Sequence, residues 1–490
     1  MSMLVRRLLS LPLKEITFPA TVILFALCGM GYFLTKTLLF LAIPFVVIGL
    51  IWGLTDFRRL YFLIWATIPF AVEVDLPGGL STDFPAEPLM WMCCFMLPAY
   101  FYLYHKEIDF RFIWHPLFII LVIHFSWIIL TSVTSTEPMI SFKYILAKSW
   151  YLVSFVVIPL MLFRSIDDFK TWGTYYLIPL AITILIIIIR HSQYGFTFAT
   201  INNAVIPIYR NHVDYACTMG IVLPYLWILH KWFQGFLAKS FLYLCIGLML
   251  TGIYFSFTRA AWLSIPLAVG LYFIIRMRLM RAVIPVALAL IILFVGWMAY
   301  DNHYLQFSPD YEKTITHKQF DDLVSATYKM EDISTVERFY RWVAGFYMIK
   351  EKPLIGFGPA SFYSHYHSYV DRHFITYVSD NPEHSGMHNY YLMVAVEQGL
   401  IGLAIFFILI IAVLVFGERL YHSMKPGPKK QFLMAALVSF GCNLFILTLN
   451  DMVETDKLGS FFFLSVAVVI LFALQERNAG PVPVTDDSQD

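Results

Sequence analysis

Val283–Tyr300 reads VIPVALALIILFVGWMAY, a run without a single charged residue. A bilayer core about 30 Å thick needs about 20 apolar residues when they rise about 1.5 Å each in a helix. The run is therefore long enough for a spanning helix rather than a barrel strand, and a helix satisfies its own backbone hydrogen bonds in lipid. Comparable runs recur on both sides: Ile16–Leu34, Thr37–Leu54, Leu60–Val72, Pro88–Tyr104, Phe112–Thr131, Ile145–Phe163, Trp172–Ile189, Tyr215–Leu229, Phe241–Phe257, Ala260–Ile275, Tyr390–Phe416, Phe432–Leu449 and Leu458–Leu474. Leu60–Val72 is short for the task. The composition agrees, with 59% hydrophobic, 18% aromatic and 14% charged residues among 490. Soluble domains carry about 25% charged residues, so a water-soluble enzyme is excluded, as are disordered, collagen-like and disulfide-scaffold classes. The expected fold is all-α, a polytopic transmembrane helix bundle of about 12–14 spans with one large, partly helical outer loop. The expected divisions are N-terminal spans over 1–300, the loop over 301–389, C-terminal spans over 390–475 and a disordered tail over 476–490.

With 34 basic and 33 acidic residues the chain has no global field to recruit nucleic acid. The six cysteines, Cys28, Cys93, Cys94, Cys217, Cys245 and Cys442, lie in apolar runs and read as small buried hydrophobes. Lys and Arg in short loops set orientation. With the N-terminus inside, the short outer segments hold only Lys36, Lys143, Lys148, Arg190, Arg210, Arg259 and Lys457, and most other cations fall inside. Both termini are expected in the cytoplasm. The first span has basic residues before it but no small-residue cleavage site after it, so it is expected to stay as an anchor.

Between Tyr300 and Tyr390 lies the one extended polar stretch, dense in Tyr, Phe, His and Trp. Loops longer than about 12–15 residues are usually functional or disordered, and this composition argues for function. Ser334-Thr-Val-Glu337 has the form of a helix capping box. Val336, Phe339, Tyr340, Val343, Phe346 and Tyr347 then make one helical face, with Arg338 and Arg341 on the other side. That helix should stop before Pro353, with Gly356-Phe-Gly-Pro359 as a turn. It is expected to cover a cavity open to the outer side.

Several residues are suited to chemistry. Arg259 sits at the outer end of a tight helical hairpin, and a guanidinium there can hold a phosphate bidentately; the plainer reading is an arginine reaching for the interface. Arg190, Arg210 and His212 form a cationic outer segment, each of them equally readable as a solvated loop residue. His365, His367, His373, His384 and His388 cluster at the end of the loop. His384 and His388 are four apart, yet Pro382 and Gly386 argue against a regular helix and no matching ligand set accompanies them, so no metal is assigned. His388 alone enters the next span directly, where an imidazole can act as general base.

Two motifs carry a resemblance. Arg259-Ala-Ala-Trp-Leu263 fits Arg-x3-Leu, and His388-Asn389, nine residues, Gly399-Leu-Ile-Gly402 fits His-[Asn/Ser/Gln]-x9-Gly-x-x-[Gly/Thr/Tyr]. Both resemble the bacterial O-antigen ligase family, within the ligase/polymerase superfamily of lipid-linked glycans. The likeness covers roughly Arg190 to Leu449, and about twelve spans are usual in that family. It implies an inverting, metal-independent and cofactor-free glycosyl transfer on the outer face of the bacterial inner membrane. The donor would be a glycan on undecaprenyl pyrophosphate and the acceptor a sugar hydroxyl of the lipid A core. Arg259 stands at the family's motif, Arg338 at the matching part of its loop, and His388 at the position of the base. Arg210 and Arg341 are added here from charge and position as further pyrophosphate ligands. A polymerase using another lipid-linked glycan as acceptor and an O-linked protein glycosyltransferase share this donor chemistry. A transporter or flippase is the non-enzymatic alternative, and no matching inverted halves support it.

Overall fold

The computed structural model describes residues 55–76, 80–307, 333–375, 379, 381 and 386–478, with scattered positions between 27 and 53. Most of the expected spans Ile16–Leu34 and Thr37–Leu54, with the tail beyond 478, lies outside the described residues. The chain divides into two compact units, one of Met1–Asp109 with Met161–Ile178, the other of Phe110–Leu160 with Pro179–Asp490.

In the first unit, helix α1 (Phe57–Thr67) and helix α2 (Ala86–Tyr104) flank a hairpin of β1 (Val72–Leu76) and β2 (Leu80–Phe84). The strands are antiparallel, Val72 opposite Phe84 and Leu76 opposite Leu80. The apolar pattern predicts a span through Val72; α1 instead stops at Thr67 and the chain turns into this hairpin. Thr82 Oγ1 and the Asp83 N–H both donate to Glu87 in the first turn of α2, at 3.0 and 3.2 Å. Trp65 packs edge-on against Trp172, ring centroids 5.3 Å apart.

The second unit holds most of the apolar helices. They are α3 (Pro116–Val133), α4 (Pro138–Leu162, with a π turn at Val153–Val157), α5 (Ile166–Ser192, beginning in the first unit), α6 (His212–Ile228), α7 (Phe236–Phe255), α8 (Arg259–Arg276) and α9 (Met280–Ala299). After them come α10 (Ile333–Glu351), α11 (Tyr390–Ser423), α12 (Pro428–Ile446) and α13 (Asp456–Asn478). Eight helices among the described residues are long and apolar enough to cross a membrane: α3, α4, α5, α7, α8, the helix from Met280, α11 and α13. Helices α2, α6 and α12 occupy further predicted spans without being among those eight. The protein is an all-α bundle, as expected.

Lipid tails are as apolar as Leu, so helices in a bilayer associate through close packing and interhelical hydrogen bonds. Both are present here. Gly220 of α6 faces Ser264 of α8, Gly441 of α12 faces Leu271 of α8, and Gly417 of α11 faces Leu437 of α12. Ser439 Oγ donates to the Ile221 carbonyl at 2.7 Å, Asn443 Nδ2 to Leu458 O at 3.0 Å, and Tyr391 OH to Leu444 O at 2.8 Å. These contacts gather α6, α8, α11 and α13 around α12. The six cysteines are free thiols, and all but Cys94 are buried.

Candidate active site

Helix α11 begins at Tyr390 because Asn389 caps it, its Oδ1 accepting from the Leu392 N–H at 3.0 Å. His388 is the residue before that cap, held in the left-handed region at φ 54°. Non-glycine residues rarely stay there unless their surroundings hold them. Here the His388 N–H donates to Asp451 Oδ2 at 2.8 Å, across 63 residues of sequence. The two preceding carbonyls are held from α10: Arg341 Nη1 donates to Gly386 O at 3.2 Å and Trp342 Nε1 to Met387 O at 3.0 Å. A side chain at Gly386 would collide with the Asp451 carboxylate. Three elements thus converge on residues 386–389: helix α10, the head of α11, and the loop between α12 and α13.

The electrostatics follow from that convergence. Burial pushes the His388 imidazole down to about 3, and the Arg338 and Arg341 guanidiniums push it the same way, while a hydrogen bond with Asn450 opposes them. The ring is therefore neutral at neutral pH and able to accept a proton. Burial raises the Asp451 carboxyl to about 6, against the pull of the His388 and Asn389 N–H groups and of Arg341 and Arg338. Arg341 is buried on Glu337 at 3.4 Å, and Glu337 also receives Ser379 Oγ at 2.8 Å. Arg341 Nε and Asp451 Oδ1 are buried with no hydrogen-bond partner among the described residues. Leaving such groups unpaired costs about 1–3 kcal/mol each, which a polar ligand between α10 and the Asp451 loop would recover.

Helix α10 ends at Glu351, ahead of Pro353 as expected. Ser334 lies within Ile333–Glu351, and Glu337 accepts from Arg341 and Ser379. Arg338 and Arg341, one turn apart on this helix, both act on His388. Arg259 and Arg210 lie around the start of α6. Arg259 is the first residue of α8, and the preceding Thr258 donates through Oγ1 to His212 O at 3.4 Å. Arg210 is exposed beside Tyr209, over whose ring the Lys457 ammonium sits at 5.0 Å. The other loop histidines disperse. His365 pairs with Thr136 at 2.8 Å, His373 with Asp371 at 2.6 Å, His367 packs tilted against Tyr366, and His384 lies outside the described residues.

The glycines of the second motif have a structural cause. Helix α11 breaks at Gly399, at φ 70°, and any side chain there would strike the Leu354 carbonyl. The break frees carbonyls that residues outside the helix then satisfy. Val396 O accepts from Phe357 N at 3.0 Å, Glu397 O from Gly358 N at 2.9 Å and Gln398 O from Trp127 Nε1 at 2.9 Å. In return Leu400 N donates to Pro353 O at 2.7 Å. The Gly356-Phe-Gly-Pro359 turn is thus seated in the broken helix, with the Glu397 carboxylate accepting from the Ala360 and Phe362 N–H groups. Motif and turn, far apart in sequence, are two halves of one junction.

Neither Asp451 nor the buried Lys148 and its partner Glu454 belongs to a sequence motif. A signal was available in Asn450-Asp-Met-Val-Glu-Thr-Asp-Lys457, a charged cluster between two apolar spans.

Residues 244–407 match the family model described as O-Antigen ligase, a segment that contains Arg259, Arg338, Arg341 and His388 and ends just before Ile408. No curated protein matches the chain.

Proposed function

We propose, from the match of residues 244–407 to the O-antigen ligase family model, that this membrane protein is an inverting, ligase-type glycosyltransferase. Its donor is a glycan on undecaprenyl pyrophosphate and its acceptor a sugar hydroxyl of the lipid A core. The reaction takes place on the periplasmic face of the bacterial inner membrane, with both termini in the cytoplasm. His388 takes the hydroxyl proton as the oxygen attacks the anomeric carbon from the side opposite the pyrophosphate. The glycosyl C–O bond breaks, and its electron pair goes to the leaving phosphate oxygen. Arg338 and Arg341 stabilise that charge, with Arg259 and Arg210 holding the pyrophosphate at the start of α6. A helix N-terminus favours an anion in its own right, which suits Arg259 at the first turn of α8.

The observation that carries this reading is the seating of the His388 backbone between Arg341 and Trp342 of α10 and Asp451, with Arg338 and Arg341 acting on its imidazole. The same charges that serve the leaving group weaken the base. A bound pyrophosphate brings negative charge beside Arg338 and Arg341, offsets their field at His388 and raises the basicity of the ring. The base therefore strengthens when the donor is present.

The test is transfer in vitro from defined lipid-linked glycan to a panel of acceptors, with chelator present. His388→Ala should abolish transfer while donor still binds, and Arg259→Ala should weaken donor use as well as turnover. A well-folded His388→Ala protein with normal turnover would overturn the mechanism. Arg341→Gln removes a charge that holds the His388 pKa down, so that pKa rises toward its usual value. Because activity is lost as pH falls through the pKa of the base, the acidic limb of kcat/KM should move to higher pH. In a deletion strain, full-length polymer accumulating on undecaprenyl pyrophosphate supports a ligase. A core capped by a single repeat points to a polymerase, and an unglycosylated secreted protein with intact lipopolysaccharide points to protein transfer.

A further inference from the structure

Lys148 lies in the apolar helix α4 with its side chain 3% exposed. A cation at such a place is costly unless it is paired. Its partner is Glu454, whose Oε1 accepts from Lys148 Nζ at 2.8 Å, from Tyr144 OH at 2.8 Å and from Tyr390 OH at 2.7 Å. The ammonium also lies 5.2 Å from the centre of the Phe463 ring, which supplies cation–π attraction. Stability alone is a poor reason for this arrangement, since apolar replacements of buried ion pairs are often neutral or stabilising.

What the pair holds is more telling. Glu454 closes the short turn Met452–Glu454, and Asp451 immediately precedes that turn. Asp451 grips the His388 N–H, and Glu454 grips the Tyr390 hydroxyl. Two carboxylates three residues apart therefore clasp positions 388 and 390 from a single short loop. The loop is seated closely on α13, where a side chain at Gly459 would strike the Val453 carbonyl. The π turn of α4, just beyond Lys148, packs on the same helix. π turns are frequent at functional sites.

We propose that the Lys148–Glu454 ion pair is a positioning device for His388, acting through the loop that carries Asp451. The inference rests on the reading of His388 as the base. Lys148 does not touch the reacting atoms. Its charge keeps the Glu454 carboxylate in place, Glu454 fixes the loop, and the loop fixes Asp451 against a backbone that is otherwise unfavourable at φ 54°. Loss of the cation leaves a carboxylate drawn toward water, and the clasp loosens.

The experiment compares purified full-length wild type with Lys148→Met, Lys148→Arg, Glu454→Gln, the double variant Lys148→Met/Glu454→Gln and His388→Ala. Transfer kinetics and thermal midpoint are measured for each. The rate at which diethyl pyrocarbonate modifies His388 is followed by peptide mass spectrometry in the variants that retain it. In Lys148→Met, kcat should fall about 100-fold, the scale of an ångström of misplacement, with KM for donor and acceptor unchanged. His388 should be modified several-fold faster, and the unpaired Glu454 carboxylate should lower Tm. The charge-free double variant should recover Tm without recovering kcat, and Lys148→Arg should restore most of the turnover. If Lys148→Met fails to fold, the charge-free double variant stands in for it, with the same expected loss of kcat. Wild-type kcat and labelling in a folded variant lacking Lys148 overturn the proposal. So does a change confined to the acceptor KM, which would make Glu454 an acceptor ligand. The two readings fail separately. An active His388→Ala protein removes the base, whereas an inactive one beside a fully active Lys148→Met removes only the positioning device.

Discussion

Helices α9 and α13 are near equals in apolar character, with windows of mean hydropathy 2.6 for the segment from Met280 and 2.3 for the segment from Asp456. Their surroundings are opposite. No residue of the first window is buried in protein, whereas 89% of the second is. Helix α9 is tied down at its start, where the Met280 N–H donates to Glu418 at 3.0 Å, and presents Leu290, Ile291, Ile292 and Leu293 outward. Helix α13 is enclosed, and its head supports the loop that holds His388. The distinction is carried by minor residues. Helix α13 contains Gly459, Ser460 and Ser465, with Ser465 Oγ reaching Ala436 O of α12 at 3.3 Å. Between Met280 and Ala299, α9 has no Ser, Thr, Asn or Gln. Hydroxylated side chains that bond across to a neighbour mark a packed helix in a membrane, where hydropathy alone does not.

Paired substitutions on the two helices would sharpen or break this contrast. The largest effect is expected from Phe463→Ala on α13, where a ring 2% exposed is removed from a packed interior, at about 3–5 kcal/mol. Thermal unfolding in detergent reads this directly. Next comes Gly459→Ala, which forces the Val453 carbonyl aside and should cost about 1–3 kcal/mol. Turnover should drop with it, because the displaced loop carries Asp451. Gly296→Ala on α9 meets open space and should gain up to about 1 kcal/mol through helix propensity, seen as a small rise in Tm. Phe294→Ala, at a ring 55% exposed, should stay within about 0.5 kcal/mol. A Phe294→Ala protein as damaged as Phe463→Ala would mean that protein, and not lipid, covers α9.

Much of the helical layout was legible, because the cost of unsatisfied backbone in lipid leaves long apolar runs few alternatives. The head of α11 fell at Tyr390 as read, and α10 ended before Pro353. The turn after α1 was not legible, since apolar Leu60–Val72 continues in composition through the point where the chain becomes a hairpin. Of the candidate site, His388 stood out by its place at the mouth of a span, and Arg338 and Arg341 by their spacing on one helix. Asp451 was passed over because its meaning lies in a hydrogen bond to a backbone N–H 63 residues away, which leaves no trace in local pattern. Lys148 was read as a loop cation for a similar reason. A charge near the end of an apolar run looks the same whether it meets water or a buried carboxylate.

By itself, then, the sequence determined that the chain lives in a bilayer, where many of its helices run and which few outer cations and histidine merit attention. Those follow from how solvent treats each segment separately. Tertiary structure decided which helices face lipid, why α11 breaks at Gly399 and what holds His388 in place. Apolar side chains are equally content against lipid or protein, so only small-residue contacts and hydrogen bonds between distant segments could choose.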